Sequence, residues 1–189
     1  LQFADRELSP RVEHGRQALA IDEHRADFTP TPWAEREGVK QVWFAGAHAD
    51  VGGGYENHGL SDIALEWMMQ EINDLDAGLQ LAPDQLSEAL APDSLEDRHD
   101  ETRGPIWRTR PSKARKIPEA AELHPSVLQR LRERADYRPK ALEDIPVCSD
   151  FYLDEAPRPD ETLQPEREAL PFRKLPVDGS TCFPAYAHK

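Results

Sequence analysis

Residues 41–69 read QVWFAGAHADVGGGYENHGLSDIALEWMM, and Val42 to Ala47 within them most narrows what the chain can become. A short, unbroken apolar run is what a parallel strand covered on both faces shows. The spacing therefore predicts a strand over 41–47, and a strand of this kind needs hydrogen-bonded neighbours on both edges. Behind it come His48, then Gly52, Gly53 and Gly54, a tight turn. Ile63, Trp67, Met68, Ile72 and Leu75 then recur at helical spacing after a Ser61-Asp62 cap, with Gly78 where a helix C-cap belongs.

Upstream, Ser9-Pro10 looks like a cap and first turn, and Val12, Ala18, Leu19 and Ile21 sit among helix-tolerant residues, which predicts a helix over 9–22. The order helix, strand, tight turn, helix is one crossover of an α/β fold. Residues 84–104 are acidic and polar and read as a linker or surface excursion. Twelve of the 17 prolines fall between 105 and 189, so extended or irregular structure is expected there, apart from a short helix near Ser126 to Arg134. This divides the chain into 1–83, 84–104 and a Pro-rich extension, 105–189, that packs on or covers the first part. The neighbours of the 41–47 strand are not legible, and the chain opens as LQFADRELSPRV with neither a methionine nor the first strand of a sheet. The expectation is a C-terminal piece of a larger protein.

Composition limits the partners. Only 38% of residues are hydrophobic and 31% are charged, so a core is not expected to fill the whole length. With 23 basic and 36 acidic residues the net charge is −13, which argues against nucleic acid as a partner. No apolar run is long enough for a transmembrane segment, and residues 1–20 lack the apolar core of a signal peptide, so the chain is expected to be soluble and cytoplasmic as made. Cys148 and Cys182 are too few for a disulfide framework and point to a reducing compartment, with a single bridge left open.

The chemistry gathers where the strand ends. Catalytic groups in open α/β sheets collect beyond the carboxyl ends of the strands, and His48 follows the apolar run directly. An imidazole there is either a general base or hydrogen-bonded scaffolding. Gly52, Gly53 and Gly54 leave room for a reactant beside it and permit positive φ. Asp50 is placed to shape the loop by accepting backbone hydrogens. Asp22 lies beside Glu23, His24 and Arg25 and reads as part of a local ion-pair cluster. His48, Asp50, His58 and Asp62 flank the glycine turn, but neither HExxH nor a cysteine pair accompanies them, and GGGYENHG has neither GxGxxG spacing nor a Walker ending. Neither a metal nor another cofactor is expected.

Several stretches in the same order carry a family resemblance: GRQALAIDEHRADFTPTPW, QVWFAGAHADVGGGY, GLSDIALEWMM and HPSVLQRLRERADYRPKAL. Together they resemble the C-terminal half of the uncharacterised α/β-hydrolase domain family that includes type VI secretion phospholipase effectors, over roughly residues 9–142. The resemblance implies the C-terminal portion of an α/β-hydrolase-like fold, with few strands of its own, several helices and a long irregular tail. It also implies a Gly-x-Ser-x-Gly nucleophile and a catalytic Asp upstream, with His48 completing the triad. No serine here has glycines both two residues before and two after it, so that elbow is absent.

The implied whole is a serine esterase or phospholipase acting on an ester or phospholipid, an antibacterial effector delivered to a target-cell periplasm or membrane. The fragment alone would be inactive and would depend on the upstream part of the same polypeptide. The alternative is a non-catalytic interaction module with a degenerate motif, docking a secretion carrier or immunity protein through Trp107, the RTRPSKARK patch at 108–116, and Arg130, Arg132 and Arg134.

Overall fold

The computed structural model describes residues 6–75, 89–104, 107 and 109–143, together with the backbone of 146–147 and 183–184. Gly78, Cys148, Cys182 and most of the Pro-rich tail lie outside the described residues.

The organising element is β2, Val39–Phe44. It is the middle strand of a parallel sheet in the order β1-β2-β3, between β1 (Gly15–Ala20) and the two-residue β3 (Glu122–Leu123). The neighbours that the sequence does not reveal are thus both within the chain. Alternation along β2 sends Val42 and Phe44 to one face, against Val51, Leu60, Ile63, Ala64 and Trp67. Trp43 and Ala45 go to the other face, with Leu19, Ile21, Leu123, Val127, Tyr137 and Leu142. Two cores on opposite faces explain why Val42–Phe44 is apolar without a break, and each fully buried large side chain contributes roughly 1.5–3 kcal/mol.

The helix expected over 9–22 is replaced by β1. Gly15–Ala20 contains good helix formers, but its six residues pair in register with Val39–Phe44, from Gly15 opposite Val39 to Ala20 opposite Phe44. Period two then decides which side chain goes where: Leu19 and Ile21 enter one core, while Ala18 and Ala20 pack on the other. Tertiary pairing outweighs local propensity here. The β1–β2 connection holds only a short 3-10 turn, Ala26–Phe28, in place of a crossover helix.

After β2 come α1 (His48–Gly52) and α2 (Gly59–Asp74). The second helix starts at an N-cap on His58, so Ser61 and Asp62 lie in its first turn and do not cap it. Glu71 ties α2 to the sheet, accepting from Arg16 Nε at 2.5 Å and Lys40 Nζ at 2.6 Å. The helix expected near Ser126–Arg134 is α3, Pro125–Glu133, with Pro125 in its first turn. β4 (Pro146–Val147) and β5 (Phe183–Pro184) pair antiparallel.

Two arginines in and just after α3 are engaged within the chain. Arg130 is only 2% exposed, its Nη1 donates to the carbonyls of Ser94 and Glu96 at 2.5 and 2.7 Å, and its guanidinium lies over the Tyr137 ring. Arg134 Nη1 donates to Leu95 O and to Asp97. Arg130 is therefore enclosed and cannot serve an external partner, and both arginines instead fix the backbone of 94–97 against α3. No helix among the described residues is long and apolar enough to cross a membrane.

Candidate functional site

The sheet ends where β2 runs into Ala45-Gly46-Ala47. Gly46 has φ +110°, and a Cβ built on it would stand 2.4 Å from Asp50 Cβ, so only glycine fits. Its N–H donates to Asp22 Oδ2 at 2.7 Å, and Asp22 N–H returns a bond to Gly46 O at 3.0 Å. The loops that follow β1 and β2 are laced together by this exchange. Asp22 also accepts from Tyr137 Oη at 2.9 Å, and burial together with the Asp22 carboxylate pushes the Tyr137 phenol well up from its ordinary pKa. Asp22 is thus a buried tether between loops, with Arg98 Nε 3.9 Å from its Oδ1, and Glu23 and Arg25 form the closer ion pair beside it.

Asp50, also buried, closes the first turn of α1 by accepting from Ala47 N–H at 2.8 Å. The same oxygen accepts His99 N–H at 3.0 Å, and Oδ1 accepts from His99 Nδ1 at 2.7 Å. Tyr55 stacks on the His99 ring at 3.6 Å and donates its hydroxyl to Glu101. His99 therefore pins α1, and no sequence spacing announces it.

His48 is the first residue of α1, and it is exposed. Its N–H donates to Glu23 Oε2 at 3.2 Å, and its ring meets the Phe28 ring edge-on at 5.3 Å. Glu23 is 1% exposed and accepts from Arg25 through both oxygens, at 2.9 Å to Nε and 2.6 Å to Nη2. Burial works to raise the Glu23 carboxyl, but the hydrogen bonds from Arg25 and from the His48 backbone outweigh it and hold the group below the usual carboxylate range. The Arg25 guanidinium in turn lies 4.0 Å over the Phe28 ring. An ion pair and an aromatic ring thereby fix the entry to α1 and leave the imidazole free at its edge.

That imidazole borders a cleft of about 740 Å³, together with Gly52, Gly53 and Gly54. Gly53 and Gly54 have φ +85° and +126°, and a Cβ on any of the three would meet nothing within 4 Å. The triplet leaves the cleft floor open. His58, Ser61 and Asp62 line it too, but His58 Nδ1 pairs with Asp62 at 2.6 Å and Ser61 Oγ donates to His58 O, so neither bonds to His48. Among the described residues, no three His, Cys, Asp or Glu side chains converge as metal ligands.

A serine–histidine contact exists elsewhere. His124 Nδ1 lies 2.8 Å from Ser126 Oγ and accepts Ser126 N–H at 3.3 Å, while the ring stacks on Phe44 at 4.7 Å. This is the cap of α3. Burial pulls the imidazole down to about 4 from 6.5, so it is neutral in the fold. Between pH 6.5 and 4 the unfolded chain binds a proton that the folded one refuses. Stability from this group is present above the upper value and lost as pH falls through that window, by about 3 kcal/mol. Urea unfolding at pH 7, 5.5 and 4 should show that loss, and His124→Gln should be weaker at pH 7 but flatter with pH. An equally steep profile in the variant would assign the acid sensitivity to other groups.

Residues 1–71 match the family model described as T6SS, Phospholipase effector Tle1-like, catalytic domain. The matched segment contains β1, β2, α1, most of α2, His48 and the glycine triplet, and over it the resemblance seen in the sequence is shown. No curated protein and no solved structure matches the chain.

Proposed function

We propose that this chain supplies the general base, His48, of a serine hydrolase that cleaves phospholipid esters. The observation that carries the reading is the position of His48. It is exposed at the carboxyl end of the central parallel strand, on a glycine-floored cleft, within a segment matching a phospholipase effector family. A serine Oγ would attack the ester carbonyl carbon as His48 takes its proton. The same proton would then pass to the departing alkoxide, and water activated by His48 would release the fatty acid and restore the serine.

The serine and the carboxylate that orients the imidazole are assigned to a preceding part of the same polypeptide. Among the described residues β1 pairs only with β2, so its outer edge presents backbone groups to a further strand. Leu65, 45% exposed on α2, marks apolar surface that such a part would cover. The net charge of −13 opposes anionic bilayers, so docking at a target membrane would rest on apolar contacts. A secretion carrier and an immunity protein fit the effector reading as partners.

A fluorophosphonate probe tests it. The complete polypeptide should be labelled on a Gly-x-Ser-x-Gly serine, and the 189-residue chain alone should stay unlabelled. A complete polypeptide that resists the probe would favour the non-catalytic module.

A further inference from the structure

Arg115 stands out among the arginines around the site. Arg25 pairs with Glu23, Arg16 with Glu71, and Arg134 with Asp97 and Asp136. Arg115 makes no ion pair among the described residues. Its Nη2 donates to Phe28 O at 2.6 Å, while its Nε is enclosed with no hydrogen-bond partner. An enclosed guanidinium N–H without an acceptor is costly, and such groups persist where an acceptor arrives. The residue also borders the His48 cleft. Phe28 joins the two, since its carbonyl holds Arg115 and its ring packs on His48.

We infer that Arg115 is the phosphate-recognising residue of the His48 cleft, taking the phosphodiester of a glycerophospholipid while His48 faces the ester. The inference rests on the hydrolase reading and adds its headgroup selectivity. A guanidinium is the side chain suited to phosphate, because its planar fork can donate to two oxygens at once. Ester and phosphate of one glycerolipid are separated only by the glycerol carbons, and His48 and Arg115 line one cleft, each in contact with Phe28. Burial, with Arg25 acting in the same direction against Glu23, lowers the Arg115 pKa, as expected of a cation awaiting a counter-charge. On a chain of net charge −13, this site gives an anionic group a reason to enter the cleft.

The test is calorimetric binding to the complete polypeptide with ligands that cannot be hydrolysed. The probes are di-O-hexyl-glycerophosphocholine, neutral di-O-hexylglycerol and inorganic phosphate. Arg115→Gln should weaken the phosphocholine ether by about 10- to 100-fold, the worth of a charge-assisted hydrogen bond, and leave the neutral ether unchanged. Arg115→Lys should recover part of the loss. Equal affinity in Arg115→Gln, or parallel loss of both ethers, would overturn the proposal. Inorganic phosphate binding as tightly as the phosphocholine ether would overturn the lipid assignment in favour of a free-phosphate site. Because no turnover is read, failure here is distinct from failure of the His48 mechanism, which appears as unaltered hydrolysis of a neutral ester by a His48 variant.

Discussion

Replacing His48 with alanine in the complete polypeptide should lower ester hydrolysis by about 10⁴- to 10⁶-fold, the range that removal of a triad member costs. The fold should survive, because the ring is exposed and α1 is held through His48 N–H, Asp50 and His99, all of which the substitution leaves in place. Steady-state hydrolysis of a short-chain ester checks the rate, and circular dichroism checks the fold. His58→Ala is the control on the same cleft and should change the rate little, since that ring is engaged with Asp62. Ordinary turnover in His48→Ala, or a comparable collapse in His58→Ala, would remove His48 from the role of base.

Gly46→Ala should be strongly destabilising. The substitution forces alanine to φ +110° and drives its Cβ to 2.4 Å from Asp50 Cβ, an atom fixed by the bonds of Asp50 to Ala47 and His99. Backbone strain and overpacking together cost about 4 kcal/mol. If the loop yields instead of the whole fold, the exchange between Gly46 and Asp22 breaks and His48 moves with it. Denaturant unfolding should reveal the loss, and a variant as stable and active as the parent would mean that the turn after β2 is loose.

How much of this was legible depends on the range of each interaction. β2 and α3 could be read because a doubly covered strand and a proline-started helix write themselves into consecutive residues. β1 could not, since GRQALA favours a helix until β2 lies beside it. β3 is two residues long and leaves no pattern. At the site, His48 and the glycines were visible as one contiguous motif. His99 was not, because it reaches Asp50 across 49 positions, and Asp22 finds Tyr137 across 115. Arg115 was visible only as one charge in a basic patch. Its enclosure beside Phe28 comes from the fold alone.

The bond between Asp22 and Tyr137 sets an order of events during synthesis. The carboxylate that laces the loop before His48 leaves the ribosome first, and the hydroxyl that completes its burial follows more than a hundred residues later. Contacts of such separation form late, because loop-closure entropy must be overcome first. α3, with the arginines that hold the 94–97 backbone, also comes late. A nascent or truncated chain that stops short of Tyr137 therefore carries His48 on an unfinished scaffold, and the site acquires its geometry only after Tyr137 has been made.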